Sequence, residues 1–62
     1  MIKMKLLING RVITQGSLNH CIDELLENCY TLDSQDIDAI QWNIKKRSKC
    51  HITCGYDEFL IE

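Results

Sequence analysis

Six side chains of this sequence could hold a metal or carry thiol chemistry: Cys21, Cys29, Cys50, Cys54, His20 and His51. Structural zinc needs four ligands in a tetrahedron, commonly supplied by paired Cys-x2-4-Cys knuckles on tight turns. The run Cys50-His51-Ile52-Thr53-Cys54 offers one loose pair, and it sits on an alternating segment that reads as a strand. Residues four apart on a strand are too distant for easy shared ligation unless a bulge intervenes. Cys21 and Cys29 are eight apart on a segment that reads as a helix. The more economical reading is that the four cysteines are small buried hydrophobes with free thiols. A zinc-stabilised domain built on Cys50 and Cys54 remains an alternative, and disulfides are disfavoured because nothing in the sequence points to secretion. No cofactor is expected.

Nucleophilic and phosphate chemistry find no footing. The sequence contains no phosphate-cradling glycine loop, no H-E-x-x-H and no G-x-S-x-G, and neither histidine has a patterned nucleophile partner. With 62 residues there is little chain left to wall a pocket around a small substrate. Asp23 and Glu27, one helical turn apart, are the ordinary content of a solvent-facing helix. An enzyme is not expected.

Charge is distributed unevenly, although the net charge is only -2. Val12 to Ile44 contains no Lys or Arg, while Asp23, Glu24, Glu27, Asp33, Asp36 and Asp38 all fall within it. Lys3, Lys5 and Arg11 precede that span, and Lys45, Lys46, Arg47 and Lys49 follow it. The chain thus has an acidic middle flanked by basic segments. Solvated faces that keep a small domain soluble are the plain explanation. The acidic span is the candidate partner-binding surface; the basic run, read as a hairpin turn, is the candidate phosphate or nucleic-acid contact.

These residues have to be carried by a few elements. Ser17 to Cys29, SLNHCIDELLENC, has Leu18, Ile22, Leu25, Leu26 and Cys29 at helical spacing on one face, Cys21 at its edge, and Asn19, Asp23, Glu24 and Glu27 opposite. Ser17 is a suitable N-cap, and no basic residue complements the last turn. Before this helix, Asn9-Gly10 between two apolar runs predicts a β-hairpin with a type I′ turn. Its register pairs Ile8 with Arg11, Leu7 with Val12 and Leu6 with Ile13, which sets Met4, Leu6, Ile8 and Ile13 on the core side and Leu7 with Val12 on the outer side.

After the helix, Tyr30 to Asp36 is a polar connection, with Leu32 folding back under the helix end. Ile37 to Lys46 fits two templates. As a strand it points Ile40, Trp42 and Ile44 inward; as a helix it starts at Ser34 and lines Ile37, Ile40 and Ile44 along one side. The strand is preferred because the helix leaves the only tryptophan off the buried stripe and the segment is rich in β-branched residues. Arg47-Ser48-Lys49 then turns into a strand at Cys50 to Cys54. Gly55-Tyr56-Asp57 is a break, and Glu58-Phe59-Leu60-Ile61 forms a short last strand.

The expected fold is a single α+β domain over 1–62, two layers with one helix packed on a sheet, hairpin-helix-hairpin and β-grasp-like, with a second helix at about 34–47 as the alternative. The apolar runs are too short to span a bilayer, and Met1 to Lys5 has no signal-peptide hydrophobic region, so a cytoplasmic protein is expected. In size and layout alone, and through no particular residue, the chain resembles small phage or mobile-element proteins that bind and disable a host enzyme. That likeness implies a non-enzymatic protein-protein interaction module, an inhibitor or regulator that binds a larger protein through its acidic helix face. The alternatives are a nucleic-acid-binding accessory protein and the zinc domain.

Overall fold

The computed structural model describes residues 3–62; Met1 and Ile2, at the start of the segment expected to carry no signal peptide, lie outside it. Its elements are β1 (Met4–Ile8), β2 (Arg11–Gly16), α1 (Leu18–Asn28), α2 (Ser34–Arg47), β3 (Cys50–Cys54) and β4 (Asp57–Ile61). The strands form one sheet in the order β2-β1-β4-β3, antiparallel at every step. Both helices pack on one face of it, closing a two-layer α+β core.

The hairpin at Asn9-Gly10 forms as its turn residues require. Asn9 and Gly10 both have positive φ, 51° and 85°, the two left-handed positions of a type I′ turn. Ile8 pairs with Arg11 and Leu7 with Val12, but the register then shifts, and Leu6 faces Thr14 instead of Ile13. Ile13 is the extra residue of this bulge. It lines a shallow hollow beside Ile8 and Arg11 and stays exposed, where the unbroken register had placed it in the core.

α1 is capped as its sequence indicates, the Ser17 hydroxyl accepting from the His20 amide at 3.2 Å. Its buried residues are Cys21, Ile22 and Leu25, with Leu18 and Leu26 partly covered. Cys21 is fully buried, central to the face where spacing had put it at the edge.

The segment from 34 to 47 is helical, which overturns the preferred strand and realises the alternative. Its ends decide the matter. Asp33 caps the helix, accepting from the Asp36 amide at 3.0 Å while Asp36 accepts from the Asp33 amide at 3.2 Å, so two orphan donors are satisfied reciprocally. Lys45, Lys46 and Arg47 occupy the last turn, where positive charge complements the helix dipole. Ser48, placed in a strand-to-strand turn by the sequence reading, is the left-handed C-cap at φ 64°, its amide bonded to the Ile44 carbonyl. Only Ile40 of this helix is fully buried. With so narrow a buried stripe, Trp42 does not need to be inside. It lies 56% exposed, with Lys46 Nζ 5.5 Å from its ring centroid one turn later.

The second helix also sets the topology. Were β3 to follow α1 directly, the chain would enter it from the end of the sheet where β1 finishes, and β4 would run parallel to β1. α2 reverses the chain once more, so β4 meets β1 antiparallel, with Leu6 opposite Ile61 and Ile8 opposite Phe59. β4 completes the core through Phe59 and Ile61, and Leu32 is partly buried against that core.

Leu25 is fully buried among these residues, so Leu25→Ala should cost about 2–5 kcal/mol, a large share of a small domain's stability, read from denaturant unfolding. Trp42 emission in the native protein should be red-shifted and freely quenched by iodide. A blue-shifted, protected tryptophan would contradict the helical placement.

Candidate functional site

The four cysteines meet in one core, two from the helix layer and two from the sheet, but not in one chemical state. Cys29, at the C-cap of α1, is joined to Cys54, the last residue of β3, with their Cα atoms 6.2 Å apart. This corrects the expectation of four free thiols: two of the core sulfurs are spoken for, because the end of α1 and the end of β3 converge at the same corner of the sheet. The Thr31 hydroxyl reinforces the corner, 3.4 Å from Cys29 Sγ, to which it donates, and 3.9 Å from Cys54 Sγ. Cys21 and Cys50 are free and buried as expected, and burial raises both thiol pKa values by disfavouring the thiolate. With Cys54 in a disulfide, the Cys50/Cys54 zinc pair is not available. Among the described residues no three His, Cys, Asp or Glu side chains converge on a metal-sized centre.

The cross-link organises one end of the molecule. The turn at 9–10, the turn at 55–56, the C-terminus of α1 and the N-terminus of α2 all gather there, the last two joined by the loop 29–33. Asn9 fastens the two turns together, its Nδ2 donating to Asp57 Oδ1 at 3.1 Å and its Oδ1 accepting from the Glu58 amide at 3.0 Å. The other turn has Gly55 at φ 64° in its first central position, the geometry of a type II′ hairpin.

This end is acidic. Glu24 and Glu27 occupy the last turns of α1, Asp33 and Asp36 the start of α2, and Asp57 the start of β4; Arg11, the first residue of β2, is the one Lys or Arg among the described residues at this end. Asp23 and Asp38 sit further along their helices, exposed. The opposite end holds Lys3, Lys5, Lys45, Lys46, Arg47 and Lys49, so the linear charge pattern becomes a polarity along the molecule. The basic run, expected on a hairpin turn, instead closes a helix and leads out of its cap, and most of its charge is accounted for by the α2 dipole and the Trp42 contact.

Two residues passed over in the sequence belong to this end. Tyr30 is 89% exposed and Tyr56 wholly so. Tyr30 follows Cys29, and Tyr56 stands two residues beyond Cys54, so chain geometry across the disulfide keeps their Cα atoms within about 17 Å of each other. They are 26 positions apart in sequence, and no periodicity links them; only a known Cys29–Cys54 pairing would have brought them together. Asp57 was missed for the same reason. The site is therefore an acidic surface bearing two presented tyrosines, on loops held by a covalent tie. No family model, curated protein or solved structure matches this chain.

The outer sheet face carries a second, smaller feature. Leu60 joins Leu7 and Val12 in one row across β4, β1 and β2, opposite the helices. Lys5, Glu58 and His51 border the row, and a single apolar row in a polar setting is ordinary surface. No helix among the described residues is long and apolar enough to cross a membrane.

Removing the tie should loosen this end and the whole fold. The two cysteines are 25 residues apart, and the chain-entropy model assigns a loop of that size about 3.5 kcal/mol, so Cys54→Ser or reduction by dithiothreitol should lower unfolding stability by about that amount. Cys21 and Cys50 should react negligibly with a thiol reagent in the native state and fully in denaturant. Because folding raises their pKa values, the stability they contribute is complete below the unfolded thiol's value of about 8.5 and is lost as pH rises from there through the raised native values.

Proposed function

We propose that the protein is a non-enzymatic interaction module, an inhibitor or regulator, that docks a basic surface of a larger protein against its acidic, tyrosine-bearing end. The observation that carries this reading is the position of Glu27. It lies in the last turn of α1, with Glu24 one turn earlier and no basic residue nearby in the helix. A carboxylate there faces the negative end of the helix dipole, at a cost of about 0.3–1 kcal/mol. A small domain has little stability to spare. The acidic residues at the start of α2 need no such explanation, since Asp33 and Asp36 form its capping box. The charge on α1 does nothing for its own helix, which favours a role outside the fold.

Tyr30 and Tyr56 supply what charge alone does not. Tyrosine contributes large contact area at low conformational cost and is enriched among residues that dominate interface energies. The acidic surround would accelerate encounter with a basic partner and orient it. Tyr30 and Tyr56 would then anchor the contact.

The test separates function from stability. Glu27→Lys should raise unfolding stability by a few tenths to about 1 kcal/mol, because lysine complements the helix end, and should weaken binding to the partner captured from source-cell lysate. Tyr30→Ala and Tyr56→Ala should weaken the same binding with little loss of stability, since neither side chain is covered. The paired reversal Lys45→Glu with Lys46→Glu should matter far less, and binding to the partner should fall steeply as salt rises. A partner that binds Glu27→Lys and Tyr30→Ala as tightly as the parent would overturn the assignment.

A further inference from the structure

The sheet has two edges, and they are not alike. β2 is interrupted by its bulge, begins with Arg11 and ends in Gly16, devices that discourage strand addition. β3, Cys50–Cys54, pairs with β4 along its whole length without a register shift. It carries no proline, no bulge and no formally charged side chain. Such an edge is a ready template for another strand.

The hairpin fixes which backbone groups are open. The two-residue turn at 55–56 makes Cys54 and Asp57 its closing hydrogen-bonded pair, and the alternation then assigns the backbone groups of Cys50, Ile52 and Cys54 to β4. Those of His51 and Thr53 point away from the sheet. Both residues are exposed, and they line a groove whose far wall is Leu32 with Asp36, Ala39 and Asn43 of α2.

We propose that β3 pairs with the β3 of a second copy of this chain, antiparallel about a two-fold axis through Ile52, joining the two sheets into one. His51 then faces Thr53 of the second copy in a hydrogen-bonded pair, each exchanging N–H and C=O bonds, and Ile52 faces its own equivalent in the intervening non-bonded pair. The register is self-complementary, as an isologous contact requires.

Charge selects this occupant and this direction. The acidic first turn of α2 and Asp57 lie toward one end of the edge, and Lys45, Lys46, Arg47 and Lys49 toward the other. Antiparallel pairing sets each acidic end beside the basic end of the second copy, twice over; parallel pairing would set like beside like. Glu24 and Glu27 remain outside the seam, because α1 packs over β1 and β2.

The experiment is sedimentation velocity on the oxidised full chain, combined with amide exchange followed by NMR. The chain should shift from monomer to dimer as concentration rises toward about 1 mM, and the transition should move to higher concentration with added salt. Over the same range the His51 and Thr53 amides should become protected, while the amide of Val12, which points outward on the other edge, should not change. Thr53→Pro removes one outward donor that the monomer does not use and should weaken dimerisation about a hundred-fold, with the monomer's circular dichroism unchanged. A chain still monomeric at about 1 mM would overturn the proposal. So would a dimer in which the His51 and Thr53 amides gain no protection, or one that survives Thr53→Pro. Protection of those amides by an unrelated extended peptide without dimerisation would equally overturn it. Because the exchange measurement uses the unaltered chain, it stands even if Thr53→Pro fails to fold.

Discussion

The Cys29–Cys54 cross-link is the constraint on which the acidic end of this molecule depends. A chain of 62 residues can build only a small core, and here the helices must cover four strands with a handful of buried residues. Small scaffolds commonly add a staple to such a core. This one lies where α1 stops and β3 stops, so it also defines how the connecting loop and the last turn are presented. A disulfide persists in oxidising surroundings and is reduced in a typical cytosol, so the rigidity of this end is tied to redox conditions. The buried thiols Cys21 and Cys50 behave differently, as apolar fillers whose reactivity burial suppresses.

Electrostatics divide unequally between the two helices. α2 is electrostatically self-consistent, with its capping box at one end and its lysines and arginine at the other. That arrangement stabilises a helix with little buried surface, and it explains why a segment rich in isoleucine with one tryptophan does not become a strand. α1 has the opposite character: well buried along Cys21, Ile22 and Leu25, it tolerates carboxylates at an unfavourable end. A firmly packed helix can carry such a burden, whereas α2 could not. The expendable charge therefore sits on the element that packing holds most securely.

Much of the fold was legible because local chemistry and the final structure agree. Asn9-Gly10 specifies its turn by backbone sterics alone, Ser17 specifies the start of α1, and the spacing of Ile22, Leu25 and Cys29 specifies which side is buried. The signals for α2 were equally present in Asp33, Asp36 and the basic run, but the assumption that tryptophan must be inside outweighed them. That assumption fails in a small domain, where an edge helix has one narrow buried stripe and Lys46 can shelter part of an exposed ring. The bulge at Ile13 was not legible, since nothing between Leu6 and Thr14 marks the point where pairing slips.

By itself, then, the sequence determined the elements governed by neighbours a few residues apart: two hairpins' turns, two helix caps, the alternation of β3 and β4, and the linear separation of charge. Tertiary structure alone decided what depends on residues distant in the chain. It set the strand order that follows once 34–47 is a helix, paired Cys29 with Cys54 out of the possible cysteine partners, and turned a charge pattern into a polar molecule. It also brought Tyr30, Tyr56 and Asp57 to one end. The physical reason is that capping and turn formation are set by local hydrogen bonds and backbone sterics, whereas cross-links, layer packing and surface composition arise only when separate elements share the same core.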